Sequence, residues 1–285
     1  TTEIYTLSLH DALPSERCTD GFATEQEAGR ALWAGIAEHP GLSVEKHGWG
    51  ARGRLKDASS TDIVVHAGVA VTSFYQCGDL YELDPLTLET IRKSTWNGGF
   101  PSRCGVSAHP KVDPATGELL FFNYGKEEPY LHYGVVSPDN RLVHYVDVPL
   151  PGPRLPHDMA FTPNYAILND CPLFWEPHLL AKGLHAARFH PDLPTRLGVI
   201  PRRGTEVRWF EAESTFVLHW VNAYEDGDEI VLDGFFQSDP EGAGSRFPGH
   251  PRYARMFRML SLDGMQTRLR SEEHTSELQS RTLIS

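Results

Sequence analysis

Three histidines stand in contexts that could do metal chemistry: Ser107-Ala108-His109-Pro110-Lys111, Pro156-His157-Asp158-Met159-Ala160 and Val217-Leu218-His219-Trp220-Val221. Neutral imidazole is the commonest protein ligand for first-row transition metals. The three lie too far apart in sequence to share one helix or hairpin, at broadly similar intervals. They could instead occupy the same place in successive copies of a repeated sheet, which would put a metal on the axis the copies share. Spacing alone adds His66 in Val64-Val65-His66-Ala67-Gly68, one such interval before His109. The other histidines outside the two chain ends (His39, His47, His132, His144, His178, His185, His190 and His250) lie in polar or Pro-rich stretches and read as surface residues.

Each of the three also has an ordinary reading. On an extended segment from Phe216 to Asn222, strict alternation turns His219 to the same face as Val217 and Val221, where it could be a core histidine. His109 precedes Pro110, a residue that marks strand ends and bulges. His157 follows the Pro-rich loop from Pro149 to Pro156. A site of two histidines and one carboxylate is the rival metal reading. It needs His-x-Asp or His-x-Glu on a strand, whereas His157 and Asp158 are adjacent and point apart. No G-x-S-x-G elbow, phosphate-binding loop or dinucleotide fingerprint is present.

The elements that would position these residues are mostly strands. Residues 22–38 form the one good helix candidate, with Thr24 as cap, Glu27 three positions later and an apolar face of Ala28, Ala31, Leu32, Ile36 and Ala37. Beyond it, Asp84-Pro85-Leu86-Thr87-Leu88-Glu89 and Asp113-Pro114-Ala115-Thr116-Gly117-Glu118 are near-copies, and Ser137-Pro138-Asp139-Asn140 supplies a third turn at a similar interval. The intervening segments Ile63–Val65, Leu119–Asn123, Gly134–Val136 and Leu142–Val148 read as strands. Hairpins at this spacing make a four-stranded blade every ~40–50 residues, which is the rhythm of a β-propeller. A β-sandwich with regular turns fits the periodicity as well; the histidine spacing favours the propeller.

Composition excludes several function classes. The 285 residues are 40% apolar and carry a net charge of −12, so no basic stripe is available for nucleic acid. There is no apolar run of about 18 residues to cross a membrane and no signal peptide. Cys18, Cys77, Cys104 and Cys171 are widely spaced and read as buried thiols of a reducing, cytoplasmic compartment. The chain ends look foreign. Arg270 to Ser280 and Thr6 to Pro14 match reading frames of a common pair of short-read sequencing adaptors. Residues 1–14 and 270–285 are therefore expected to be adaptor-derived, with 15–269 cut from a longer gene and His10 and His274 set aside.

Five segments together carry a family resemblance: residues 107–119, His157-Asp158-Met159-Ala160-Phe161-Thr162-Pro163-Asn164-Tyr165, Gly198-Val199-Ile200-Pro201-Arg202, Arg208-Trp209-Phe210-Glu211, and His219-Trp220-Val221-Asn222-Ala223-Tyr224-Glu225-Asp226-Gly227. They resemble the carotenoid cleavage oxygenases, a family that includes apocarotenoid and lignostilbene-type dioxygenases. The resemblance is colinear from about Gly21 to Pro240.

It implies an all-β fold, part of a seven-bladed β-propeller with a short N-terminal helix. One Fe(II) would be held by four histidines and no carboxylate. His109, His157 and His219 fall on the first three ligand positions, and His66 on a non-ligand position. The fourth histidine lies beyond the end of this chain, which is expected to be inactive alone. Relatives often carry a Glu that hydrogen-bonds the second ligand; here that position is Gln76, which can still accept the imidazole N–H but adds no charge.

The implied reaction is cleavage by O₂ of one C=C bond of a carotenoid or apocarotenoid into two carbonyl products. Stilbene cleavage is the alternative, weakened by Tyr75 where lignostilbene-type members tend to carry Lys. An apolar substrate leaves peripheral contact with a membrane open, and no protein partner is implied. A propeller that binds an apolar ligand without catalysis is the reading from a different class.

Overall fold

In the computed structural model, the described residues are 19–33, 59, 61–75, 77–100, 105–180, 187–237, 257–259 and 267–268. They form two helices, α1 (Asp20–Ala28) and α2 (Pro177–Leu180), and eighteen strands. In chain order the strands are β1 (Asp62–His66), β2 (Val69–Ser73), β3 (Tyr81–Leu83), β4 (Thr90–Lys93), β5 (Lys111–Val112), β6 (Leu119–Tyr124), β7 (Tyr130–Val136), β8 (Leu142–Pro149) and β9 (Ala160–Phe161). There follow β10 (Tyr165–Asp170), β11 (Leu173–Trp175), β12 (Ala187–Phe189), β13 (Thr195–Pro201), β14 (Arg208–Ala212), β15 (Phe216–Asp226), β16 (Glu229–Gln237), β17 (Phe257–Met259) and β18 (Thr267–Arg268). They assemble into four four-stranded sheets and one small hairpin, in the orders β1-β2-β3-β4, β5-β6-β7-β8, β14-β13-β10-β9, β11-β12 and β15-β16-β17-β18. The four sheets begin at Asp62, Lys111, Ala160 and Phe216, in nearly even steps along the chain. That is the blade period the turn motifs imply.

The chain divides into two compact units at Asp147/Val148. In the first unit, the Asp-Pro motifs are the hairpin loops they resemble. Asp84 Oδ1 accepts from the backbone N–H of Leu86 (2.8 Å) and Thr87 (2.9 Å), and Asp113 Oδ1 from that of Ala115 (2.9 Å). Each loop closes with a left-handed residue, Leu88 (φ 61) in one and Gly117 (φ 72) in the other. Leu88 therefore bears a strain that Gly117 avoids. Ser137-Pro138-Asp139-Asn140 turns β7 into β8, with Asn140 left-handed at φ 62. The core of this unit is Val71, Leu80, Trp96, Val106, Leu119, Phe121 and Val136, contributed by the first two sheets and the segments between them.

The N-terminal helix is shorter and earlier than its sequence pattern implies. It runs Asp20–Ala28 and is capped by Thr19, whose hydroxyl accepts from Phe22 N–H at 3.1 Å. Thr24 bonds back to the Asp20 carbonyl at 2.7 Å instead of capping. Gly29 takes a left-handed φ of 62 and ends the helix, after which Glu25 Oε1 receives the N–H groups of Leu32 and Trp33. A left-handed glycine immediately after Ala28 outweighs the apolar spacing that suggested continuation. Residues 34–38 of that expectation lie outside the described set.

The second unit packs Ala160, Ile167, Leu197, Val199 and Phe210 of its first sheet against Val217, Trp220, Ile230 and Leu232 of its second. Val217 and Trp220 are three residues apart on β15 yet both face this core, which strict alternation forbids. Two register shifts against β16 explain it, one between Val217 and Trp220 and the other between Trp220 and Asn222. Each inserts an extra residue on β15, as a β-bulge does. Trp220 thereby lies across Gly234 of β16, where an added Cβ would come within 2.7 Å of Trp220 Cε3. The substitution Gly234→Ala should push the indole out of the core and destabilise the protein by about 1–3 kcal/mol. Chemical denaturation of the variant beside the parent measures this, and an unchanged midpoint would show that the indole relaxes freely.

Candidate metal centre

In the second unit His157 and His219 meet. Their ring centroids are 5.0 Å apart with the planes inclined at 65°, and each offers a ring nitrogen within 4.8 Å of the other's. Two nitrogens bound to one ion at about 2.1 Å are separated by at most about 4.2 Å. The pair therefore needs only a small adjustment to share a metal. His157 is half-buried and His219 exposed.

A loop end and a bulged strand set the two positions. His157 stands at the end of the Pro-rich loop and three residues before β9. His219 lies inside β15, in the first of the two bulges. The alternation that puts His219 with Val217 on one face does not hold: Val217 is fully buried, while Leu218, His219 and Val221 are exposed. The bulge turns the imidazole out of the core that holds its neighbours.

Asp158, the residue after His157, is engaged by the backbone. Its side chain is 2% exposed. Oδ1 accepts from the Met159 backbone N–H at 2.8 Å and Oδ2 from that of Trp220 at 3.0 Å. Both carboxylate oxygens are thus engaged by backbone N–H groups.

In the first unit His109 sits just before β5 in a left-handed conformation, φ 58. Only glycine and a few polar residues adopt that region without strain. Its Nδ1 is 3.1 Å from Asp62 Oδ2, at the start of β1. A carboxylate oxygen accepts, so Nδ1 is the donor, and in the neutral imidazole the ring's lone pair is on Nε2. Burial pushes the Asp62 carboxyl up, but the hydrogen bonds from His109 and the Ile63 N–H outweigh it and hold it below the usual carboxylate range. Nothing in the sequence marks Asp62 as a partner of His109, since 47 residues separate them.

His66, which spacing alone would add to the ligand set, is 3% exposed. Its Nε2 donates to the Gly117 carbonyl at 3.1 Å, in the second Asp-Pro turn, and burial pulls its pKa down. It serves as a neutral core histidine tying β1 to that turn. Among the histidines read as surface residues, His178 is exposed, whereas His132, His144 and His190 are half-buried. Aromatic stacking accounts for two of them: His132 lies 5.2 Å from the Tyr145 ring and His190 4.2 Å from that of Phe174. Gln76, Cys18 and Cys104 lie outside the described residues. Cys77 and Cys171 are buried free thiols, the second pushed up to about 12 by burial.

Within the second unit, His157 and His219 thus offer two imidazole nitrogens, a donor type that suits a first-row transition metal. Among the described residues no helix is long and apolar enough to cross a membrane.

A family model described as Retinal pigment epithelial membrane protein matches residues 5–278. The carotenoid 9,10(9',10')-cleavage dioxygenase of Crocus sativus is 40% identical over 130 residues, covering 44% of this chain and 24% of that enzyme. The lignostilbene-alpha,beta-dioxygenase isozyme III of Sphingomonas paucimobilis is 31% identical over 241 residues, covering 82% of this chain and 47% of that enzyme. Among solved structures, a lignostilbene dioxygenase of Pseudomonas brassicacearum is similar with a TM-score of 0.68 at 27% identity, over 87% of this chain and 53% of that one. A mutant of Synechocystis apocarotenoid oxygenase gives 0.69 at 22% identity, over 89% and 56%, a likeness in fold alone. The chain thus spans about half the length of these relatives or less, and its four-stranded sheets are blades of the propeller fold they share. The match over nearly the whole sequence shows that the chain belongs to the carotenoid cleavage oxygenase family.

Proposed function

We propose that this chain is part of a non-haem Fe(II) dioxygenase that splits one C=C bond of a carotenoid or apocarotenoid into two carbonyl products. The observation that carries the reading is the His157–His219 pair, held 5.0 Å apart by a loop and a bulged strand. His109, with Nδ1 engaged by Asp62, is proposed as the third ligand, and a fourth histidine from a longer gene product as the last. Residues 1–14 and 270–285 are taken as adaptor-derived. Four neutral imidazoles would leave the iron its full 2+ charge and the one-electron chemistry that spin-forbidden O₂ requires.

The chain's own residues supply position and dryness. Asp62 holds the proton of His109 on Nδ1. Gln76 is proposed to do the same for His157 through its side-chain oxygen. Leu218 and Val221, 37% and 38% exposed, flank His219 with apolar surface suited to a polyene. No protein nucleophile or acid is required, in keeping with the motifs the sequence lacks. The compartment is proposed to be the cytoplasm, with peripheral contact to a membrane as the route for an apolar substrate.

Stilbene cleavage is the second reading, favoured by one observation. The isoeugenol, resveratrol and lignostilbene enzymes match 64–82% of this chain, against 44–47% for the carotenoid 9,10(9',10')-cleavage enzymes of four plants. Incubating the complete gene product and Fe(II) with an apocarotenal, resveratrol and a lignostilbene under O₂, and identifying the aldehydes formed, separates the two. Cleavage of none of them would leave the reading without support.

Three outcomes follow for the complete gene product. It should bind about one Fe(II), and His109→Ala, His157→Ala and His219→Ala should each abolish metal binding and activity, while His66→Ala keeps the iron. Metal analysis of the purified variants checks this; full occupancy in His219→Ala would overturn the ligand assignment. Asp62→Ala frees the outer nitrogen of His109 and should weaken metal binding by about 10–100-fold, as read by competition with a chelator. Gln76→Glu should retain iron and change the rate alone, because either side chain accepts the imidazole N–H; complete loss of metal would show that Gln76 is misplaced.

A further inference from the structure

Asp158 is tied to the backbone at three points. Its side chain is 2% exposed, and its two carboxylate oxygens accept from Met159 N–H at 2.8 Å and Trp220 N–H at 3.0 Å. Its own carbonyl accepts from the Asn169 side-chain amide of β10 at 2.8 Å. Asn169 is itself 1% exposed. The placement of these bonds relative to the histidines is specific. Asp158 follows His157 directly, and Trp220 follows His219 directly. One carboxylate therefore clamps together the backbone immediately after each imidazole, across 62 residues of sequence.

We propose that Asp158 is a positioning residue for the metal centre, setting the separation of His157 and His219 before any ion arrives; this rests on the reading of those two histidines as ligands. The bond to Met159 is local and would by itself only stabilise a turn. The bond to Trp220 reaches into the segment of β15 where the register slips on both sides. A bulged strand could settle in more than one register, and each register would aim His219 differently. The carboxylate selects one of them. It needs two acceptor atoms facing two N–H groups, a requirement an amide cannot meet: Asn has one oxygen, and its NH₂ would face the second N–H donor to donor.

The test uses the complete gene product, stripped of metal and titrated with Co²⁺, whose visible absorption reports ligand geometry. Asp158→Asn should bind Co²⁺ about 10–100-fold more weakly and with a displaced absorption band, alongside a lower metal-free melting temperature from the buried N–H left unpaired. A parent-like affinity and band would overturn the proposal. So would a lowered melting temperature accompanied by a parent-like band, since that pattern marks a purely structural role. If Asp158→Asn does not fold, Asn169→Ala keeps the carboxylate and removes the bond to its carbonyl, together with a weak one from the Cys171 thiol at 3.6 Å. It should give a smaller loss of affinity with the band displaced, and unchanged binding would again overturn the proposal. His219→Ala, run alongside, keeps the two readings apart. If that variant retains Co²⁺, the ligand assignment fails; if it loses Co²⁺ while Asp158→Asn binds normally, only the positioning role fails.

Discussion

A bulged strand is the constraint on which the second unit depends. On a regular β15, Val217 and Trp220 would face opposite ways, and the core they share with Ile167, Leu197 and Phe210 would lose one of them. The bulges bring both inward and turn His219 outward. Packing and site geometry are thus the same event. The indole can enter only because Gly234 presents no side chain opposite it, and the strand keeps its slipped register while the Trp220 N–H is held by Asp158.

Burying that carboxylate has a cost of several kcal/mol before its partners are counted. Hydrogen bonds to a charged group contribute about 1.5–3 kcal/mol each, so those from Met159 and Trp220 offset that cost at least in part. They also fix geometry, since one carboxylate joins two backbone segments 62 residues apart. The same contrast separates the histidines. His66 donates to a backbone carbonyl in the interior and serves the fold. His109 holds a φ of 58, which costs conformational energy, and is engaged by a carboxylate through Nδ1.

What the sequence discloses follows the range of the forces involved. The Asp-Pro turns are legible because Asp84 and Asp113 satisfy backbone groups two or three residues away, so the whole interaction lies within the motif. The even step from sheet to sheet is legible because each turn signals one hairpin. The helix is legible in kind but misplaced, since Thr19 and Gly29, local as they are, compete with a longer apolar pattern that suggested residues 22–38. The bulges are not legible at all. A register shift is decided by β16, by Gly234 and by a carboxylate 62 residues upstream, and alternation read along one strand cannot register any of them.

Asp62 shows the same limit from the side of chemistry. An acidic residue at the start of a strand reads as a solvated charge, and only the pairing of β1 with its neighbours brings it to His109. Family resemblance can point to candidate ligands because their positions recur as motifs, whereas a group such as Asp62 is drawn from wherever the fold supplies an acceptor. A carboxylate serves two opposite roles in this chain. At Asp62 it contacts an imidazole directly and bears on which nitrogen carries the proton; at Asp158 it accepts from backbone N–H groups just after His157 and His219 and so joins the two segments that carry them.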